Sequence, residues 1–158
     1  TDAGAKLAAL VLRRHRLVEL FLVQMMGMSW TEVHDEAENL EHAVSDRLIE
    51  RIDELLGRPS VDPHGDPIPD SMGAISRHHH QNLLTCPLQE PMNVTRVIDQ
   101  DIKFLQFLEA QNLKPGQSIR VETRDAIADS VTVINAEDRQ ITLGTAAASK
   151  LLVEPKRP

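Results

Sequence analysis

Between Arg58 and Met92 the chain carries Pro59, Pro63, Pro67, Pro69, Pro87 and Pro91, with Gly65 and Gly73 among them. Proline fixes φ and donates no backbone hydrogen bond, so a long helix or an interior strand cannot run through such a stretch. The breakers therefore cut the sequence in two, with helical periodicity before them and period-two alternation after. With 158 residues, the chain has room for one ordinary domain or two small ones with a real core. Tyr is absent and aromatics make up 3%, so that core must be built from Leu, Val, Ile and Met.

Before the break, apolar residues recur at Leu7, Leu10/Val11, Leu17/Val18, Phe21/Leu22 and Met25, which predicts a helix over 2–26. Thr1 or Asp2 suits its start, and Gly27 its end. Ser29-Trp30-Thr31-Glu32 has the form of a capping box opening a second helix. Ser45 suits the start of a third, carrying Leu48, Ile52 and Leu55/Leu56 inward and stopping at Gly57. After the break, Thr95–Ile98, 119–123, 130–134 and 140–143 alternate as strands, with a helix over Leu105 and Leu108 opened by Asp99 or Asp101. The final segment, 146–153, reads as a short turn and a closing strand. The expected organisation is a helical domain over 1–70, a Pro/His-rich linker over 71–92 and a small barrel-like β domain over 93–155, an α+β fold.

A net charge of −7 argues against direct binding to a phosphate backbone, which rests on Lys and Arg. The basic run Arg13-Arg14-His15-Arg16 reads as a solvated helix face, and His78-His79-His80 as a solvated part of the linker. The longest apolar runs, such as 7–12, are far too short to span a bilayer. The lone Cys86 cannot form an internal disulfide, which fits a reducing, cytoplasmic setting. The absent initiator Met suggests a trimmed chain or a fragment.

Chemistry concentrates in His34-Asp35-Glu36-Ala37-Glu38-Asn39-Leu40-Glu41-His42. At helical spacing His34, Glu38, Glu41 and His42 share one face. Imidazole nitrogens and carboxylate oxygens one turn apart are what a divalent transition metal needs. The first helix adds His15 and Glu19 at i, i+4. Two antiparallel helices can bring these to His34, which leaves Glu38, Glu41 and His42 a turn or more away; two sites are expected.

Arg14–Glu19, Val33–Glu38, Glu41-His42 and Asp62-Pro63-His64-Gly65-Asp66-Pro67-Ile68-Pro69 together resemble the diphtheria-toxin-repressor and manganese-transport-regulator family of metal-dependent transcriptional repressors. The resemblance covers roughly residues 1–70, the family's metal-binding and dimerisation domain. Residues 94–153 are similar to its SH3-like third domain, of the FeoA type. The resemblance implies an ancillary site on His15, Glu19 and His34, with an acidic ligand from the SH3-like domain at Asp101, Asp99 and Gln100 being near competitors. It implies a primary site on Glu38, Glu41 and His42, completed by a residue of the winged helix-turn-helix domain. Thr1-Asp2-Ala3-Gly4 resembles the segment just after that domain, so a chain without its DNA reader is expected. The parent protein would then bind operator DNA, and this chain would not bind it alone.

Glu at position 38, where the iron-responsive branch has Cys, implies Mn²⁺ as the metal, with Fe²⁺ as the alternative. The implied function is metal sensing and homodimerisation in a repressor of metal uptake. A non-regulatory metal-binding or adaptor module is the rival reading. A di-metal carboxylate enzyme fits less well: Asn39 and Thr31 stand three before His42 and His34, where a Glu-x-x-His motif needs Glu. With no nucleophile constellation or phosphate loop apparent, the chain is not expected to be an enzyme.

Overall fold

In the computed structural model, which describes residues 1–78 and 80–158, Thr1 opens helix α1 (Asp2–Met26) by accepting the Gly4 N–H on its hydroxyl. Gly27 closes it in the left-handed region at φ 68°, where a side chain would be strained, and its N–H returns to the Leu22 carbonyl. Helices α2 (Val33–Glu41) and α3 (Asp46–Leu55) follow after short turns. Ser45 caps α3 as its sequence suggests, accepting the Leu48 N–H at 3.2 Å. The capping box expected before α2 does not form. Ser29 instead takes the Thr31 N–H into a local turn, and Glu32 precedes α2 with no side-chain cap bond.

Leu17, Val18 and Leu22 of α1, Val33 and Ala37 of α2, Val44, and Ile49 and Ile52 of α3 form one buried cluster. The inward stripe of α3 is thus Ile49, Ile52, Asp53 and the half-buried Leu56, while Leu48 and Leu55 face outward. A charged residue on the stripe hides that frame from a purely apolar reading. Asp53 is admitted because Arg13, itself buried, pairs with it at 3.0 Å and with Glu50 at 3.2 Å. The basic run is therefore not a solvated face: Arg14 binds the Val44 carbonyl and the Asp46 side chain, and Arg16 the Pro67 carbonyl.

The chain divides into two compact units, Thr1–Arg77 and His78–Pro158. The second is an antiparallel sheet in the order β1-β6-β2-β3-β4-β5, made of β1 (Gln81–Asn82), β2 (Met92–Val97), β3 (Ser118–Asp125), β4 (Ser130–Asn135), β5 (Gln140–Gly144) and β6 (Leu151–Pro155). Helix α4 (Ile102–Ala110) follows β2, and the short α5 (Thr145–Ser149) stands where a turn was expected. Register shifts at Val94/Arg96 and Val121/Thr123 bend the ribbon. Strand alternation buries Val94, Val97, Ile119, Val121, Val131, Val133, Leu151 and Val153 with Leu105 and Leu108 of α4.

Residues 81–92, read from the sequence as the end of the linker, belong to this second unit. β1 pairs with β6, and Leu83, Cys86 and Met92 are buried. Of the histidine tract, His80 Nδ1 lies 3.1 Å from Thr95 Oγ1, and the ring centroids of His78 and His80 are 6.0 Å apart. The central member, His79, lies outside the described residues.

Candidate metal centre

His15 and Glu19, one turn apart on α1, meet His34 from the first turn of α2. His15 Nε2 is 2.9 Å from Glu19 Oε1 and 3.0 Å from His34 Nδ1, and His34 Nδ1 is 2.9 Å from the same carboxylate oxygen. The rings meet edge-on at 69° with centroids 4.7 Å apart. Glu19 is fully buried, His15 and His34 half-buried. Two ring nitrogens and a carboxylate oxygen thus converge from two helices. A face-to-face pair of imidazole nitrogens needs a positive centre or a proton between them, so the donor set fits a divalent cation.

A second group shares Glu19. Asp62, His64 and Glu19 each offer a ligand atom within 4.8 Å of the others, as do His15, Glu19 and His34. The loop that carries the new pair is built by Asp62 itself, whose Oδ1 accepts the N–H groups of His64 and Asp66 at 2.8 and 2.9 Å. Gly65, at φ 82°, lets the chain turn there, and Val61 and Pro67 bridge across its mouth. His64 is completely buried and donates its Nε2–H to the Trp30 carbonyl at 2.7 Å. A backbone carbonyl on one ring nitrogen is the usual support for a ligand at the other. That other atom, Nδ1, stands 3.6 Å from Glu19 Oε2 and 4.0 Å from Asp62 Oδ2. All three atoms are buried and lie beyond hydrogen-bond distance of any partner among the described residues. Such unsatisfied atoms facing one another are costly unless a charge sits between them.

The electrostatics show how the group is balanced in this state. Burial alone would lower the His64 pKa, but the Asp62 and Glu19 carboxylates outweigh it and push it up to about 10. Burial would raise Glu19, yet the neighbouring imidazoles of His15, His64 and His34 hold its carboxyl far below the usual range. For His15, burial is likewise outweighed by Glu19 and Glu41, and its pKa is raised. The carboxylates thus favour positive charge on His64 and His15, the sign of charge that a divalent cation would bring.

The other residues singled out in the sequence are not gathered into a ligand group among the described residues. Glu41 turns inward and places Oε2 2.5 Å from His15 Nδ1. Glu38 lies along α2 with Oε1 3.4 Å from His34 Nε2, and the exposed His42 has Nε2 3.5 Å from Glu41 Oε1. Glu38, His34, Glu19, His15, Glu41 and His42 form one alternating line of acid–imidazole contacts. In the second unit, Asp101 is the N-cap of α4, its Oδ1 accepting the Phe104 N–H at 2.9 Å. Neighbouring Asp99 pairs with Lys150 at 2.5 Å. Asp62 and His64 had appeared in the sequence only as part of a motif. The available signal was a His two residues after an Asp in a Pro-Gly turn, and nothing local says that this turn returns to Glu19.

A helical unit with two imidazole–carboxylate groups, followed in the chain by a unit built on a small antiparallel sheet, defines a metal-binding protein with a separate SH3-like module. Comparison with known proteins agrees: the family profile for the iron dependent repressor, metal binding and dimerisation domain matches residues 1–70, and that of the FeoA domain matches 81–155. The iron-dependent repressor IdeR of Mycobacterium tuberculosis is 31% identical over 166 residues, covering 98% of this chain and 71% of that protein. The diphtheria toxin repressor of Corynebacterium diphtheriae is 29% identical, covering 90% of this chain and 62% of its own length. A solved manganese-dependent transcriptional repressor in complex with manganese superposes with a TM-score of 0.92 at 40% identity, over 99% of this chain and 74% of that one. The manganese regulator SloR gives 0.84 at 34%, over 99% and 72%. The chain belongs to the diphtheria-toxin-repressor family of metal-dependent transcriptional repressors. It comprises that family's metal-binding and dimerisation domain and its FeoA-type, SH3-like domain.

Proposed function

We propose that this chain is the metal-sensing, homodimerising part of a cytoplasmic repressor that responds to Mn²⁺, with Fe²⁺ as the alternative ion, and that it is not an enzyme. Operator DNA is read by the parent protein, and this acidic chain does not bind it alone. His15, Glu19 and His34 hold the cation. Asp62 and His64 extend the site through Glu19, and Asp101 is the candidate contribution from the SH3-like domain. The observation that carries this reading is the convergence of His15 Nε2, His34 Nδ1 and Glu19 Oε1 within about 3 Å of one another. When bound, a divalent cation supplies the positive charge that offsets the buried carboxylates. The donor set contains oxygen and nitrogen and no thiolate, which suits a harder ion, and the 40% identity to the manganese-complexed repressor supports the same choice.

The chain's own residues do the coupling. Glu19 is common to both groups, so α1, α2 and the 61–67 loop are held against a single carboxylate. His64 keeps its Nε2–H on the Trp30 carbonyl and so ties the α1–α2 connection to the same point. A shift in how Glu19 is balanced is felt by all three segments, and this differential contact is what a two-state sensor requires.

Mn²⁺ titration of this chain, followed by loss of the free-ion EPR signal with parallel sedimentation, tests the reading. Saturable binding and a two-chain species are expected, with binding abolished in His15→Ala and His34→Ala. Undiminished binding in both variants overturns the assignment, and anaerobic Fe²⁺ binding much tighter than Mn²⁺ overturns the choice of ion.

A further inference from the structure

Arg14 stands immediately before the candidate ligand His15, and its guanidinium reaches across to the end of α2. Nη1 donates to the Glu41 carbonyl at 3.4 Å and to that of Val44, and Nη2 pairs with Asp46 in the first turn of α3. One half-buried side chain thus ties α1 to the end of α2, to the connection that follows and to the start of α3. The last carbonyls of a helix have no partner within it, and α2 has no basic residue in its own last turn. Its start is no better held, for Glu32 makes no side-chain cap bond. Val33 and Ala37 of α2 pack with Leu17, Val18 and Leu22 of α1 in the apolar cluster. Packing of that kind is non-directional and tolerates small slides of a short helix, whereas hydrogen bonds to fixed carbonyls do not.

The register matters because α2 carries His34 in its first turn, where it meets His15 and Glu19. At nine residues α2 is a rod about 13 Å long, so a clamp on its end also sets the place of its beginning. We propose that Arg14 is a positioning residue of the metal centre: by clamping the end of α2 it fixes the register of α2 against α1, and with it the separation at which His34 meets His15 and Glu19. This rests on those three residues holding the cation. Arg14 acts through the backbone of the ligand-bearing helix. The general order of affinities runs toward Zn²⁺, so a centre that takes Mn²⁺ must select by geometry. A slack α2 lets the donors re-form around four-coordinate Zn²⁺ more easily than around Mn²⁺, which calls for six ligands.

The test uses the whole chain with Arg14→Lys, Arg14→Met, Asp46→Ala and His34→Ala, each checked for wild-type circular dichroism. Mn²⁺ affinity is read by EPR and Zn²⁺ affinity by competition with a chromophoric chelator. Lys keeps the charge as a compact point, without the fork that spans two carbonyls and a carboxylate. Arg14→Lys should bind the wild-type number of ions, lose about tenfold in Mn²⁺ affinity and lose less for Zn²⁺. Arg14→Met should show the same shift or a larger one; if it does not fold, Arg14→Lys carries the comparison. Asp46→Ala removes only the exposed partner and should bind both ions as wild type does. Unchanged Mn²⁺ affinity in Arg14→Lys overturns the proposal. So does an equal loss for the two ions, which marks a structural role alone, or a matching shift in Asp46→Ala, which would put the clamp on α3. His34→Ala separates the two levels: wild-type Mn²⁺ binding there means that the site assignment itself fails, whatever Arg14 does.

Discussion

Arg13 is buried between α1 and α3 against Asp53 and Glu50, and its removal would leave Asp53, among the described residues, with the exposed Arg58 at 3.2 Å. Breaking a buried pair by deleting one partner costs about 3–5 kcal/mol, whereas replacing both by apolar groups is often neutral. Arg13→Ala is therefore expected to lower unfolding stability by about 3 kcal/mol in urea, and Arg13→Met with Asp53→Leu to regain most of it. Cys86 behaves in the opposite way, as an inert residue. Burial pushes its thiol up, against the opposing Arg124, so the native chain should resist iodoacetamide at pH 8 and react fully once unfolded in urea. His15 and Glu19 were legible in the sequence because a single helix fixes their spacing. Asp62 and His64 were not, because their meeting with Glu19 depends on the chain returning across more than forty residues. The direction of Glu41 was also hidden: helical periodicity places a Cβ, but packing chooses which neighbour the carboxylate reaches.

Caps decide where elements begin, and they separate structural from ligand roles. Asp101 caps α4 through the Phe104 N–H. Asn is as good a cap as Asp, so Asp101→Asn should leave thermal stability nearly unchanged while Asp101→Ala costs about 1 kcal/mol. If Asp101 also serves the metal, Asp101→Asn should weaken Mn²⁺ binding at constant stability; equal binding in the two chains removes it from the ligand set. The helices and strands were readable from periodicity and from punctuation such as Gly27 and Ser45. The failures had local causes. Ser29 closed its own turn and made no capping box, and the α3 frame was obscured because Asp53 sits where an apolar residue would have marked it. The two-residue β1 carries too little pattern to be recognised without its partner β6.

The two units have separate cores, and among the described residues the imidazole–carboxylate groups lie in the helical one. A ligand that binds the folded form alone adds RT ln(1 + [L]/Kd) to stability, about 2.7 kcal/mol at a hundredfold excess over Kd. Mn²⁺ should accordingly raise the unfolding midpoint of the helical unit and leave that of the β unit nearly unmoved, with EDTA reversing the gain. Fluorescence of the buried Trp30 reports the first transition, and amide hydrogen exchange in the strands of the sheet the second. A single shared transition that shifts as a whole would mean that the units unfold together. The division itself was evident from the proline-rich stretch, although its second half, from β1 onward, packs with the sheet.

α1 is one unbroken rod with the candidate ligands His15 and Glu19 past mid-length and its first seven residues exposed to solvent. At 1.5 Å of rise per residue, Asp2 stands about 20 Å beyond His15. A helix is stiff over that distance, so it acts as a lever with its fulcrum at the buried stretch around Leu17 and Val18. A tilt of about 5° at His15 carries Asp2 through roughly 2 Å, a displacement far larger than any change in bond length at the centre. The helix that carries the candidate ligands would thereby also be the pointer on which their state can be read.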